Sequence, residues 1–267
     1  MDAASAFLAC LDAGPAGLFE AGLWIAAEHE PRLQPLQVIR DLGHLRQQVL
    51  AGLPDLPANE LPQALLRRLI DLGFQEDDDT PPKPRSALLN QVLQRRRGQP
   101  LSLALIALEM GRQLDIPLAG VNFPGHFMLR AAGADHLLDP CSGRRLYTND
   151  CRDLLARTLG PQAQLSAEHL QACGSRTMLQ RLSRNLRHLH TLADDHLAAL
   201  RDAERVLAMG EVRAEDHLAR AALFRQLDCP QAERYDLEHA LLLSEDTAQR
   251  LQLVERLKQL QQVPATH

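Results

Sequence analysis

The sequence predicts a mostly helical α+β protein, and three observations carry that reading. Of its 267 residues, 53 are Leu and only 13 are Val or Ile. Apolar residues recur at helical spacing over most of the chain. Between residues 118 and 147 the pattern breaks into short segments separated by Gly, Pro and Asp. Leu favours helices, whereas β-branched and aromatic side chains favour strands. With aromatics at 3%, an all-β sandwich or barrel is excluded. Apolar residues make up 45% of the chain, which excludes wholesale disorder. A chain of this length can bury a core without disulfides or metals.

Residues 1–72 read as short helices broken by Pro and Gly. Leu18 to Glu28 is amphipathic and stops before Pro31; Pro35 to Leu50 carries Leu36, Ile39, Leu42, Leu45 and Val49 at helical spacing. Pro54, Pro57 and Pro62 mark a loop, and Leu61 to Leu72 is a third helix ended by Gly73. The run Glu76-Asp77-Asp78-Asp79-Thr80-Pro81-Pro82-Lys83-Pro84 is a surface loop, because closely spaced prolines cannot continue a helix. Ser86 is expected to cap a helix through Arg97. Pro100 then suits a first helical position, opening a helix from Leu101 to Leu114 that is apolar almost all round and therefore central.

Leu118–Phe123, His126–Ala131, His136–Asp139 and Arg144–Tyr147 read as a small antiparallel sheet. A turn at Ala132-Gly133-Ala134 makes a hairpin whose partners sum to 265 or 266, which sets His126 opposite Asp139 or Pro140. From Leu154 onward the pattern is helical, with helices near 175–190, 192–208, 214–226, 230–244 and 247–262. An offset of 34 pairs Leu189 with Leu223, Asp202 with Asp236, Val206 with Ala240 and Leu207 with Leu241. That is the tetratricopeptide period; a plain helical hairpin bundle has the same local geometry.

The balance of 29 basic against 34 acidic residues gives a formal net charge of -5. Such a chain is not expected to grip nucleic acid or an anionic membrane over a wide surface. The five cysteines are scattered without a C-x-x-C, as expected for free thiols in a reducing cytoplasm. The N-terminus lacks a signal-peptide pattern, and no apolar run reaches the ~20 residues of a membrane span. A cytoplasmic protein is expected. No cofactor motif occurs, and His126, His136, Asp139 and Cys141 lack a recognisable zinc-ligand spacing. Arg95-Arg96-Arg97 reads as a solvated helix end that complements the C-terminal dipole.

A helix N-terminus at Gly98-Gln99-Pro100, a strand-borne His126 and a carboxylate at Asp139 make the layout of a cysteine-type acyl-transfer site. In such a site the dipole lowers a thiol's pKa, the His acts as base and the carboxylate orients it. A His and an Asp facing each other across a hairpin equally make a structural hydrogen-bonded pair.

Several strings resemble the bacterial SirB family, whose members carry a transglutaminase-like core (the "core-2" variant) followed by tetratricopeptide-like repeats. They are Asn90-x-x-Leu93-x-x-Arg96-Arg97-Gly98-x-Pro100-x-Ser102-Leu103, then Gly120-Val121-Asn122-Phe123-Pro124-Gly125-His126-Phe127-x-Leu129-Arg130, then Leu138-Asp139-Pro140. The likeness covers nearly the whole chain. It implies a papain-like core with a small antiparallel sheet over 81–164, an N-terminal helical segment over 1–80 packed on that core, and helical repeats over 165–267. It implies His126 and Asp139 as the base and the orienter. Asn90, Arg97, Asn122 and Arg130 follow as binding residues around the cleft. Active transglutaminase-like proteins carry Gly-x-Cys where this chain has Gly98-Gln99-Pro100, so Pro100 stands at the nucleophile position and the triad is degenerate.

Two functions follow. The first is a non-catalytic protein- or peptide-binding module, using the cleft and the helical tail. The alternative is a hydrolase or acyl transferase with Ser102 as nucleophile beside His126 and Asp139. Ser102 lies ~200° around the helix from Pro100, so the two cannot both face His126. Cys141, two residues past Asp139, reads as a buried or loop thiol.

Overall fold

A computed structural model of the chain describes residues 3–261. They form two compact units, the first ending at Leu182 and the second beginning at Ser183.

The first unit opens with four helices: α1 (Ala3–Asp12), α2 (Leu18–His29), α3 (Pro35–Leu50) and α4 (Leu61–Asp71). α5 (Leu89–Arg95) follows, and then α6 (Pro100–Gln113). α6 buries Leu101, Leu103, Leu105, Ile106 and Met110, so it is the central helix its all-round apolar pattern requires. Its one buried acid, Glu109, is neutralised by a bidentate Arg112, at 2.9 and 2.8 Å, and also accepts from the Gln113 amide at 2.7 Å.

The sheet comprises β3 (Leu118–Val121), β4 (Met128–Ala131), β5 (Leu137–Leu138) and β6 (Arg145–Leu146), an antiparallel meander in chain order. A two-residue parallel pair stands apart, with β1 (Gln75–Glu76) against β2 (Arg97–Gly98). On the sheet's apolar face Val121, Phe123, Met128, Leu137 and Leu146 pack with Cys151 and Leu155 of α7 (Thr148–Leu159).

Three local expectations are corrected. Ser86 does not cap a helix: its hydroxyl donates to the Lys83 carbonyl at 2.8 Å inside a 3-10 turn over Pro84–Ser86, and α5 starts three residues later. The helix also stops early, since Arg96 takes a left-handed φ of 56° and Arg97 enters β2. The hairpin pairs Leu129 with Leu138, a sum of 267, so its register runs past the expected one. Extended outward, that register sets His126 opposite Cys141 rather than Asp139; the longer connection over 132–136, with Gly133 at φ 71°, shifts it.

The segment after residue 164 packs on the first unit. Leu165 and Leu170 pack on the sheet's core, Ala172 bridges to Val121, and the Cys173 N–H donates to the Gly120 carbonyl at 2.8 Å. These contacts keep residues 165–182 with the first unit.

α8 (Ser175–Leu192) ends in the second unit, which continues with α9 (His196–Ala208), α10 (Ala214–Gln226), α11 (Pro230–Leu243) and α12 (Thr247–Gln261). These bounds match the sequence pattern closely; residue 262 lies outside the described residues. Two features of this unit recur 34 residues apart. Asp194 and Asp228 both take a left-handed φ, 57° and 55°, in the turns before α9 and α11. Asp is one of the few non-glycine residues that visits this region readily. Asp202 and Asp236 are both 0% exposed. Asp202 accepts from His190 Nδ1 and Arg205, each at 2.7 Å; Asp236 accepts from His217 Nδ1 at 2.7 Å and from Arg220 at 2.7 and 2.8 Å. Buried carboxylates persist when paired and hydrogen-bonded in this way. Among the described residues, no helix is long and apolar enough to cross a membrane.

Candidate functional site

His126 sits in the loop between β3 and β4. Phe123 and Phe127 on either side are buried and anchor the loop, while His126 itself is exposed. The His126 N–H donates to the Phe123 carbonyl at 3.1 Å and closes a tight turn. Gly125 holds that turn at φ 72°, and a Cβ there would meet the Thr158 side chain at 2.7 Å, so only Gly fits. Among the described residues, the His126 ring has no hydrogen-bond partner.

Asp139 begins the turn between β5 and β6. Its Oδ1 accepts from the Cys141 N–H at 2.9 Å and its Oδ2 from the Ser142 hydroxyl at 2.7 Å. Its carbonyl accepts from the Gly143 N–H at 2.8 Å. Both carboxylate oxygens are thus engaged by the turn itself, and among the described residues no hydrogen bond joins Asp139 to His126.

Pro100 is the first residue of α6, preceded by Gln99 in extended conformation at ψ 156°. Gly98 before it touches Val92: a Cβ there would lie 2.6 and 2.8 Å from the two Val92 methyls. Ser102 is 0% exposed, and its hydroxyl donates to the Ala87 carbonyl at 3.2 Å. The hydroxyl pins α6 to the chain before α5, whereas the His126 side chain stands in solvent. The structure does not bring Ser102, His126 and Asp139 together as hydrogen-bonded partners.

The cysteines offer no activated thiol in the first unit. Burial, then the Asp139 and Glu76 carboxylates, push Cys141 far above the ordinary thiol range. Burial also raises Cys10, to about 11 with help from Glu20, and it raises Cys151. Cys173 is raised by burial as well, although the backbone N–H groups of Cys173 and Asn122 and the Arg181 charge favour its thiolate. A thiol held neutral is a poor nucleophile.

The four residues expected to bind have structural partners. Asn90 is buried and donates through Nδ2 to Glu30 Oε2 at 2.7 Å. Arg97 pairs with Asp78 at 3.4 Å. Arg130 donates to the Leu170 carbonyl at 3.0 Å and straps that segment to β4. Asn122 accepts from Arg181 Nη1 at 2.5 Å; the same nitrogen reaches the Phe123 carbonyl at 2.9 Å, and the guanidinium lies 5.7 Å from the Phe127 ring centre.

Arg181, which the sequence does not single out, is therefore the main buttress of the His126 loop. Its partners are 58 and 59 residues away, a separation no local pattern reports. The acidic run and the arginine triplet, read separately as solvated, are partly one cluster. Arg95 meets Asp77 at 2.6 Å, and Arg85 forks onto Asp79 with two bonds of 2.8 Å. Opposite charge in two nearby runs is the signal that could have joined them. Arg96 instead donates to the Leu72 carbonyl and lies 5.8 Å from the Phe74 ring centre.

Residues 36–184, more than half of the chain, match the model of the transglutaminase-like superfamily. Over 261 residues, 97% of each chain, the sequence is 59% identical to UPF0162 protein PA3419 of Pseudomonas aeruginosa. The chain belongs to this SirB-like family of transglutaminase-like proteins. A UPF0162 protein of Xylella fastidiosa is 36% identical over 182 residues, covering 66% of this chain and 65% of that one. Protein SirB1 of Salmonella typhimurium is 27% identical over 154 residues, 57% of each. No solved structure matches the chain. The transglutaminase-like region takes in α3 to α6, the sheet, α7 and the first half of α8, so His126, Asp139 and Pro100 all lie inside it.

Proposed function

We propose that the chain is a non-catalytic member of its family, a cytoplasmic module that holds a protein or peptide segment and acts by binding. The observation that carries this reading is Pro100 at the start of α6, where active transglutaminase-like proteins present a cysteine. A tertiary amide nitrogen and a hydrocarbon ring supply neither a nucleophile nor a proton. The inward hydroxyl of Ser102, the raised thiols of the first unit and an Asp139 engaged by its own turn support the same reading. His126 keeps a free ring at the loop surface, suited to contacting a bound chain.

The second unit supports a tetratricopeptide-like reading through its recurrence at 34 residues, and such stacked helices offer an extended face for a partner. The test exposes the intact protein to an activated ester or amide and reads its mass. No His126-dependent adduct is expected. An adduct at Ser102 or a cysteine that His126→Ala abolishes would overturn the reading.

A further inference from the structure

A cleft of about 480 Å³ opens in the first unit beside the outer edge of the sheet. Leu118, Ala119 and Gly120 of β3 line one side of it. Leu105 and Leu108 of α6, Leu18 and Phe19 of α2, and Met178 of α8 supply apolar walls. The volume lies within the range of ligand pockets, ~300–1,000 Å³.

β3 is the edge strand of the meander, with β4 on one side only. The Gly120 carbonyl accepts from the Cys173 N–H at 2.8 Å, so Gly120 turns its backbone groups away from β4. Hydrogen-bonding direction alternates along a strand. Leu118 therefore turns its N–H and carbonyl outward as Gly120 does, and Ala119 faces β4. The chain supplies a partner to this edge only at Ala172 and Cys173, where Ala172 bridges to Val121. It then leaves the edge at Ser175, the first residue of α8. Among the described residues, no backbone group of that segment reaches Leu118, and the cleft stands where a continued strand would run. Open edge groups are a template for another chain. At the rim Glu109 and Arg112 neutralise each other, whereas Asp115 is exposed and, among the described residues, has no ion-pair partner.

A main-chain donor and acceptor on one open edge, apolar walls beside them and one uncompensated carboxylate are the complement of an extended peptide with an aliphatic and a basic side chain. We propose that such a segment of a partner protein adds as a short strand antiparallel to β3, in line with Ala172 and Cys173. Its main chain exchanges two hydrogen bonds with Leu118, an aliphatic side chain enters the cleft toward Leu108 and Met178, and a Lys or Arg meets Asp115. Such binding deepens the peptide-binding reading, on which it rests, and places the peptide at the β3 edge instead of the His126 loop.

The test is amide NMR and hydrogen exchange of the full chain with the blocked peptide acetyl-Lys-Val-Leu-Val-Lys-amide at millimolar concentration. At saturation, exchange of the Leu118 amide is expected to slow at least about tenfold, while that of Ala119, which faces β4, stays unchanged. The analogue with Glu in both Lys positions should bind about threefold more weakly. Asp115→Asn should erase that difference; Asn tolerates the left-handed φ of 55° at this position, so the fold is kept. Leu108→Trp fills the cleft and should abolish binding of both peptides. No slowing at Leu118, an undiminished Lys preference in Asp115→Asn, or unchanged binding by a folded Leu108→Trp would each overturn the proposal. Peptide-induced shifts confined to residues 122–127 would overturn it and leave the peptide-binding reading standing, whereas a His126-dependent acyl adduct would overturn that reading by itself.

Discussion

The Ser102 hydroxyl donates to the Ala87 carbonyl at 3.2 Å from a position with no solvent exposure. The only hydroxyl in the first turn of α6 is therefore a structural tie. Ser102→Ala should leave any activity of the protein unchanged and cost about 1–3 kcal/mol, because it orphans a buried carbonyl. Urea denaturation measures the cost. A loss of turnover without loss of stability would contradict this role.

Pro100→Cys returns a thiol to the start of α6, where the helix dipole favours the thiolate. Its alkylation by iodoacetamide at neutral pH should be faster than that of Cys141, whose thiol is held neutral by burial and by Asp139 and Glu76. Ester turnover should nevertheless stay at background. His126 has no orienting carboxylate, since both Asp139 oxygens serve their own turn. Turnover by this single variant would show that the missing nucleophile is the only defect.

Arg181 ties α8 to the loop that carries His126. Removing it leaves the Asn122 amide oxygen and the Phe123 carbonyl without their donor, and Arg181→Met should cost about 2–3 kcal/mol. The amides of Gly125 and His126 should then exchange with deuterium faster than in the parent protein, while those of α6 stay protected. Unchanged exchange in the loop would show that the phenylalanine anchors alone hold it.

In the second unit, burial disfavours the charged form of Asp216, but Arg184, the Arg213 N–H and Arg187 more than offset it and hold the carboxyl below its usual range. Burial likewise works against Glu233, and Arg256 and Arg225 bring it down. A depressed folded-state pKa gives stability that is present above the unfolded value, ~3.9 for Asp and ~4.3 for Glu, and is lost as pH falls through the folded value. The second unit should therefore weaken from about pH 4 downward. Asp216→Asn should destabilise the protein at pH 7 and matter much less at pH 2. An equal effect at both would contradict the assignment.

The sequence is most legible where one periodic pattern decides the outcome. The five C-terminal helices and α6 follow from apolar spacing and from Pro and Gly at their ends, and the four strands from short segments between turn residues. The hairpin register is not legible in the same way. The connection from β4 to β5 runs over five residues, and nothing local separates sums of 265, 266 and 267. That small difference decides whether His126 extends toward Asp139 or past it. The role of Ser86 is not legible either, because a hydroxyl before an apolar run looks the same whether it caps a helix or closes a 3-10 turn. Asn122 and Arg130 stand out in the family strings, yet their partners Arg181 and Leu170 are distant in sequence, so their structural use could not be read from the chain.

The central claim is that this family member carries a transglutaminase-like site without a nucleophile. It is tested most directly by incubating the intact protein and its His126→Ala variant with an activated acyl probe and comparing their masses after the same exposure. Identical masses, with no acyl group that depends on His126, are the result expected from Pro100 and an inward Ser102. A single acyl group on the parent protein that is lost in His126→Ala would contradict it.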